Sequence, residues 1–306
     1  MSRYDDQVDA ILKLMNQKQE LMDKEWTAKA VFDQMDDKIV GNENYKQALA
    51  LSLSGYLGKN QQRQHMFVVG PSGTGKTHLI RKLLPSFGVP FIIIDSSSLV
   101  GPGYEGTTLV QLLEEFYKSN MTAAKKAIIV MDEFDKVSAK AGNNWAQIIQ
   151  NELLSLVEGA QKGSIDTRNS LWIFLGAFAY ADEMKVANPK MTDTDMLKYG
   201  FKNELLGRIQ SFVMTDIPTQ QDLLLRILNS EEFNSFHTDL EAEGKNVKIS
   251  NEGIAEIVRI LQRPEFGMRM LAKILYGLKK EIIFATGFSD VEVTVSMIQK
   301  ATHGKY

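Results

Sequence analysis

The chain reads as an α/β fold: a parallel sheet with helices on both faces, then a smaller, mostly helical C-terminal domain. Three observations predict it. Met66-Phe67-Val68-Val69 is an apolar run that enters the glycine-rich stretch Gly70-Pro71-Ser72-Gly73-Thr74-Gly75-Lys76-Thr77 and a helical pattern over 78–84. Ala127 to Met131 is unbroken apolar sequence ending in Asp132-Glu133, the signature of a strand covered on both faces. Elsewhere, strand-length apolar runs alternate with helical spacing, as crossover-connected parallel strands require.

The remaining elements follow in order. Ile39-Val40-Gly41 precedes a long helical pattern within 36–57. A second buried strand is expected at 89–95, a helix at 109–117, another at about 148–157, and strands at 171–175 and 212–214. Asp216-Ile217-Pro218-Thr219 reads as the turn into the C-terminal part, with helices at 223–228, 253–261 and 268–282 and a short alternating strand at 291–295. At the other end, Val8, Ile11, Leu12, Met15 and Met22 recur at helical spacing in a charged segment, an amphipathic helix. Its stripe packs on its own body, meets another subunit or recruits a substrate; the spacing suits all three. The expected boundaries are 1–26 for this helix, 27–216 for the sheet domain and 217–306 for the C-terminal domain.

Composition narrows the function classes. The 306 residues are 44% hydrophobic, enough for a sizeable core. No run of eighteen apolar residues and no basic-then-apolar leader pattern is present, so a cytoplasmic protein without a membrane partner is expected. Zero cysteines exclude disulfides, thiolate catalysis and thiolate zinc sites, and His65, His78, His237 and His303 lie far apart in sequence. A net charge of −3 without a Lys/Arg block argues against a nucleic-acid partner.

The glycine-rich stretch has the G-x-x-x-x-G-K-[ST] form in its required strand-loop-helix setting. Its glycines let backbone N–H groups converge on phosphate oxygens, Lys76 reaches the β- and γ-phosphates, and the Thr77 hydroxyl is a ligand for Mg²⁺. Gly70, Pro71, Ser72, Gly73, Thr74, Gly75, Lys76, Thr77 and His78 are therefore the expected contacts of a nucleoside triphosphate, ATP. Asp132 would hold Mg²⁺ and Glu133 would orient and activate the attacking water.

Seven stretches in chain order carry a resemblance, beginning with Asp36-Asp37-Lys38-Ile39-Val40-Gly41-Asn42-Glu43 and the phosphate loop itself. Gly103-Tyr104-Glu105-Gly106 and Met131-Asp132-Glu133-Phe134-Asp135-Lys136 follow. Gly176-Ala177-Phe178-Ala179, Tyr199-Gly200-Phe201 through Gly207-Arg208, and Gly267-Met268-Arg269 complete the set. From about residue 27 to 301 the chain resembles the ClpX group of AAA+ unfoldases, with the HslU group next. The resemblance implies an AAA+ P-loop NTPase fold and a homo-oligomer, a hexameric ring, that acts on protein substrates. It puts Ile39 and Val40 on the adenine, Arg269 on the β/γ-phosphates, and Arg208 in the neighbouring subunit's site as an arginine finger. It makes Tyr104, between Gly103 and Gly106, the pore-loop aromatic that grips a polypeptide, with a second pore loop at 141–145 in which Trp145 stands in for the group's usual arginine.

Departures refine the expectation. Glu105 replaces the group's usual Val and should disfavour acidic substrate segments. Leu175 stands where many AAA+ proteins have a polar residue. The cysteine-bearing zinc domain of the group is not expected, since these 306 residues contain no cysteine. Residues 180–196, with Met184, Val186 and Met191, lack the Ile/Leu-Gly-Phe tripeptide used to dock on the ClpP peptidase, so that docking is not expected. The expected function is ATP-driven unfolding or remodelling of a threaded protein. The alternatives are a motor feeding a partner peptidase and a nucleic-acid-associated ATPase.

Overall fold

The computed structural model describes residues 26–58, 62–120, 122–139, 142, 144–178, 192–263, 266–285 and 287–303. The expected N-terminal helix, the segment with Met184, Val186 and Met191, and the last three residues lie outside these. So do Ala141 and Asn143 of the expected second pore loop. By contact the chain divides into two compact units. One comprises the described residues up to Lys38, Glu43–Gly70 and Lys76–Met214; the other comprises Ile39–Asn42, Pro71–Gly75 and Thr215 onward.

The first unit is built on a five-stranded sheet of β1 (Met66–Val69), β2 (Phe91–Asp95), β3 (Ala127–Asp132), β6 (Ser170–Gly176) and β7 (Ser211–Met214). All neighbours run parallel in the order β2-β3-β6-β1-β7, so the predicted parallel sheet is present. β1, β6 and all of β3 but Asp132 are buried along their length, which accounts for sequences with no polar alternation. Helices α1 (Ala28–Asp36), α2 (Glu43–Leu57), α3 (Lys76–Leu83), α4 (Leu109–Ser119), α5 (Ala146–Glu158), α6 (Asp193–Lys198) and α7 (Asn203–Leu206) surround it. α4 begins at a reciprocal cap in which Thr108 and Gln111 satisfy each other's backbone N–H groups. A small antiparallel hairpin, β4 (Gln161–Lys162) and β5 (Ile165–Asp166), precedes β6.

The core of this unit is aromatic. Phe67 of β1 lies 5.4–5.7 Å, centroid to centroid, from the rings of Phe134, Phe174, Phe178, Phe201 and Phe212. Offset and edge-on ring pairs of this kind add to simple area burial. Two buried polar residues tie elements together, one at the sheet and one between helices. His65, 4% exposed, accepts the Trp172 N–H at Nδ1 (3.1 Å), while its carbonyl accepts the N–H groups of Gln210 and Ser211. Lys46 is fully buried, with its ammonium on Asp36 (2.5 Å) and Glu43 (2.9 Å), and so fastens α2 to the end of α1.

The second unit carries α8 (Gln220–Leu228), α9 (Glu231–Ala242), α10 (Asn251–Leu261), α11 (Arg269–Ala285) and α12 (Val295–His303), with a parallel pair β8 (Asn246–Ile249) and β9 (Asp290–Val293). Leu223, Ile227, Phe236, Leu240, Ile257, Ile274, Leu278, Ile282 and Ile298 form its core. One expectation is corrected here. The strand at 291–295 ends at Val293, and Val295 opens a helix instead, because Ile298 turns into the core with Met297 and Ala301 packed beside it.

Candidate functional site

In the first unit the C-terminal ends of β1 and β3 carry the charged groups, as open parallel sheets direct. The first turn of α3 places Thr77, whose Oγ1 donates to Asp132 Oδ2 at 2.8 Å. The Glu133 backbone N–H donates to Asp132 Oδ1 at 3.0 Å, so both carboxylate oxygens are held. Lys76 Nζ, in a side chain nine-tenths buried, donates to Gly70 O at 2.5 Å. Tyr45 reaches Lys76 O with its hydroxyl (3.3 Å); burial, and then the charge of Asp132, push its phenol far above the ordinary range, leaving a neutral donor.

Glu133 is exposed and sits in the left-handed region at φ 51, ψ 35. That conformation costs a non-glycine residue about 1 kcal/mol, and it persists because its surroundings are fixed. Glu133 O accepts the Lys136 N–H (2.9 Å), and buried Asp135 accepts the Ala177 N–H at 3.0 Å, joining the ends of β3 and β6. Backbone strain of this kind concentrates at working sites. Thr77 and Asp132 offer hard oxygen donors of the sort Mg²⁺ takes together with phosphate oxygens and water. Among the described residues no group of three or more His, Cys, Asp or Glu could hold a metal alone.

The second unit holds the tip of the phosphate loop. Thr74 is its hub: Oγ1 donates to Pro71 O (2.9 Å) and receives Thr215 Oγ1 (3.1 Å), while its carbonyl receives Asn42 Nδ2 (2.7 Å). Gly73 at φ +81 lies against Gly267 at φ +55, so close that a Cβ on either would come within about 3.1 Å of the other's Cα. Two residues beyond that contact, exposed Arg269 opens α11, where a cation opposes the helix dipole and an anion would offset both. Ile39 is buried and Val40 half-buried; Val40 O accepts Arg226 Nε at 2.9 Å. Pro71, Ser72 and His78 are exposed.

The segment with Tyr104 belongs to the first unit. A bridge between Leu99 and Thr107 closes it at the base, and its tip exposes Gly103, Tyr104, Glu105 and Gly106. The Tyr104 ring packs on Trp145 at 4.1 Å, and Gly101 leaves the space that the indole fills. Arg208 pairs with Glu158 at 2.8 Å and also donates to Glu204 O, holding the Glu158 carboxyl below its usual range. Leu175 is fully buried in β6 beside Val68.

Reading for motifs passes over Asn42, Tyr45, Thr215 and Arg226, which touch the loop or its flanking segment through single hydrogen bonds. Only the left-handed propensity of Asn after Gly41 gave a signal, and both residues have positive φ.

Residues 66–195 match the family model AAA, described as the ATPase family associated with various cellular activities. The ATP-dependent Clp protease ATP-binding subunit ClpX of Treponema denticola is 23% identical over 84% of this chain and 77% of its own length. The ClpX protein of Borrelia duttonii is 23% identical over 84% of this chain and 74% of its own length. The protein named ClpX 2 of Wolinella succinogenes is 24% identical over 87% and 79%. Phosphate loop, acidic strand end and parallel sheet agree with these likenesses: residues 66–195 match the AAA ATPase family, and the chain is similar to ClpX proteins over most of its length.

Proposed function

We propose that the chain is an ATP-driven motor that assembles into a ring, hexameric as in the group it resembles, and unfolds or remodels proteins drawn through a central pore. The observation that carries the hydrolytic half is the Lys76, Thr77, Asp132 and Glu133 arrangement. Lys76 would move from Gly70 O to the β/γ-phosphates. Thr77 and Asp132 would hold Mg²⁺, which supplies charge neutralisation between the phosphates. Glu133, exposed at the strand end, would orient water and accept its proton. Ile39 and Val40 would flank the base and Arg269 the terminal phosphates.

Arg208 would leave Glu158 to enter a neighbouring subunit's site, where a guanidinium offsets charge developing on the transferring phosphoryl group. Such an exposed ion pair is a weak hold, suited to an arginine that exchanges partners. Tyr104 on its glycine-flanked tip would grip polypeptide without sequence demands, with Trp145 behind it and Glu105 disfavouring acidic segments. The supporting observation for this half is the pairing of a 60% exposed tyrosine with a loop in which a Cβ on Gly103 would meet nothing within 4 Å. ClpP docking is not part of the proposal.

Glu133→Gln tests the chemistry. It should bind ATP near normally and hydrolyse it at least about a hundredfold more slowly, whereas Lys76→Ala should lose binding. Near-normal turnover by Glu133→Gln contradicts the assignment.

A further inference from the structure

Two polar atoms beside the phosphate loop are buried without a hydrogen-bond partner: Asn42 Oδ1, an acceptor, and Arg226 Nη2, a donor. Arg226 Nη2 lies beside Gly41, the residue before Asn42, where a Cβ would come within 2.9 Å of it. A buried polar group left unmade costs about 1–3 kcal/mol, so each invites an explanation.

Both are fixed in orientation. Asn42 is 2% exposed and held at φ 63, and its Nδ2 donates to Thr74 O at 2.7 Å. Flipping the amide would set oxygen against oxygen, so Oδ1 stays the free face. Arg226 is anchored by Nε on Val40 O at 2.9 Å. Asp222 lies beside Arg226 and acts on it through charge, without a hydrogen bond to Nη2; its Oδ2 accepts from the N–H and hydroxyl of Thr219 at 2.9 and 2.8 Å. Arg226 is thus held at Val40 and Gly41, and Asn42 is tied to the loop that would carry the phosphates.

We infer that Asn42 and Arg226 read the nucleotide base, Asn42 Oδ1 accepting from the 6-amino group of adenine and Arg226 Nη2 donating to an adjacent ring nitrogen. This rests on the nucleotide reading above and deepens it. An adenine edge offers a donor beside an acceptor, whereas guanine and hypoxanthine carry an oxygen at position 6. That oxygen would face Asn42 Oδ1, acceptor against acceptor, and the Thr74 contact blocks the amide rotation that could relieve it. Specificity then comes from a site that leaves the wrong base's partner unpaired.

Calorimetric titration of the whole chain with ADP, IDP and GDP reads this without turnover. Wild type should bind ADP at least about tenfold tighter than IDP or GDP. Asn42→Gly, which accepts the positive φ, should bring ADP and IDP to within about threefold, mainly by weakening ADP. Arg226→Gln should weaken ADP by about tenfold. Equal affinity of wild type for ADP and IDP, or an undiminished preference in folded Asn42→Gly, overturns the inference while leaving the nucleotide site intact. Failure of wild type to bind any of the three overturns the nucleotide reading and the inference together. Should Asn42→Gly fail to fold, the wild-type preference and Arg226→Gln still decide.

Discussion

The phosphate loop and the Tyr104 loop both depend on glycine, and they use it in opposite ways. At the phosphate loop, Gly73 is pressed backbone to backbone against Gly267, Thr74 is hydrogen-bonded through both its oxygens, and Lys76 is nine-tenths buried. On the Tyr104 loop, Gly103 and Gly106 have φ of +86 and +140, a Cβ on Gly103 would meet nothing within 4 Å while one on Gly106 would meet Val100 at 2.9 Å, and the ring of Tyr104 is 60% exposed. Phosphoryl transfer needs groups placed to a fraction of an ångström, so that loop is over-determined. The gripping proposed for Tyr104 would need a surface that can move and press, and an open tip suits it. Glycine permits close approach in the first case and a left-handed turn into open space at Gly103 in the second.

Substitution at matched glycines sharpens this contrast. Gly73→Ala places a Cβ in left-handed backbone, costing about 1–2 kcal/mol, and also drives it against Gly267 Cα at 3.1 Å. Nucleotide affinity should fall at least about tenfold, read by titration with ADP. Unchanged affinity would show that the loop is softer than its contacts imply.

The next effect concerns pH and the frame of the rigid region. Burial, more than the nearby charge of Arg63, pushes the His65 imidazole down to about 4 from its ordinary 6.5, and its Nδ1 must stay unprotonated to accept from Trp172. The unfolded chain then binds the proton more readily than the folded one between these values. The stability that neutral His65 contributes is complete above pH 6.5 and is lost as pH falls toward 4, on the order of 2 kcal/mol. Denaturant melts of wild type and His65→Gln at pH 7 and pH 5 should show the wild type losing more over that interval. Equal losses would remove His65 from the account. The smallest effect belongs to Gly103→Ala, where strain of about 1 kcal/mol meets no neighbour; ADP affinity should not change, and the melting temperature should drop by only a few degrees.

The same contrast explains what could be read from sequence. Met66–Val69, the glycine loop and Ala127–Asp132 were legible because burial on both faces leaves uniform apolar runs, and phosphate binding leaves fixed spacing. The second unit was less legible. α9 and β8 went unread because only Phe236 and Leu240 of the helix, and Val247 of the strand, are buried. Val295 was assigned to a strand because Val291-Glu292-Val293-Thr294-Val295 alternates, while the contacts that make it helical lie further on, at Ile298 and Ala301. Asn42 and Arg226 leave no spacing to find, since 184 residues separate them and their hydrogen bonds to Thr74 and Val40 form only on folding.

Parallel measurement of ATP hydrolysis and of unfolding of a tagged model protein by Tyr104→Ala tests the division of labour most directly. The substitution removes an exposed ring from the Tyr104 loop and leaves Lys76, Thr77, Asp132 and Glu133 untouched. The account predicts ATP turnover within about threefold of wild type and unfolding reduced at least about tenfold. Unfolding equal to wild type would contradict it.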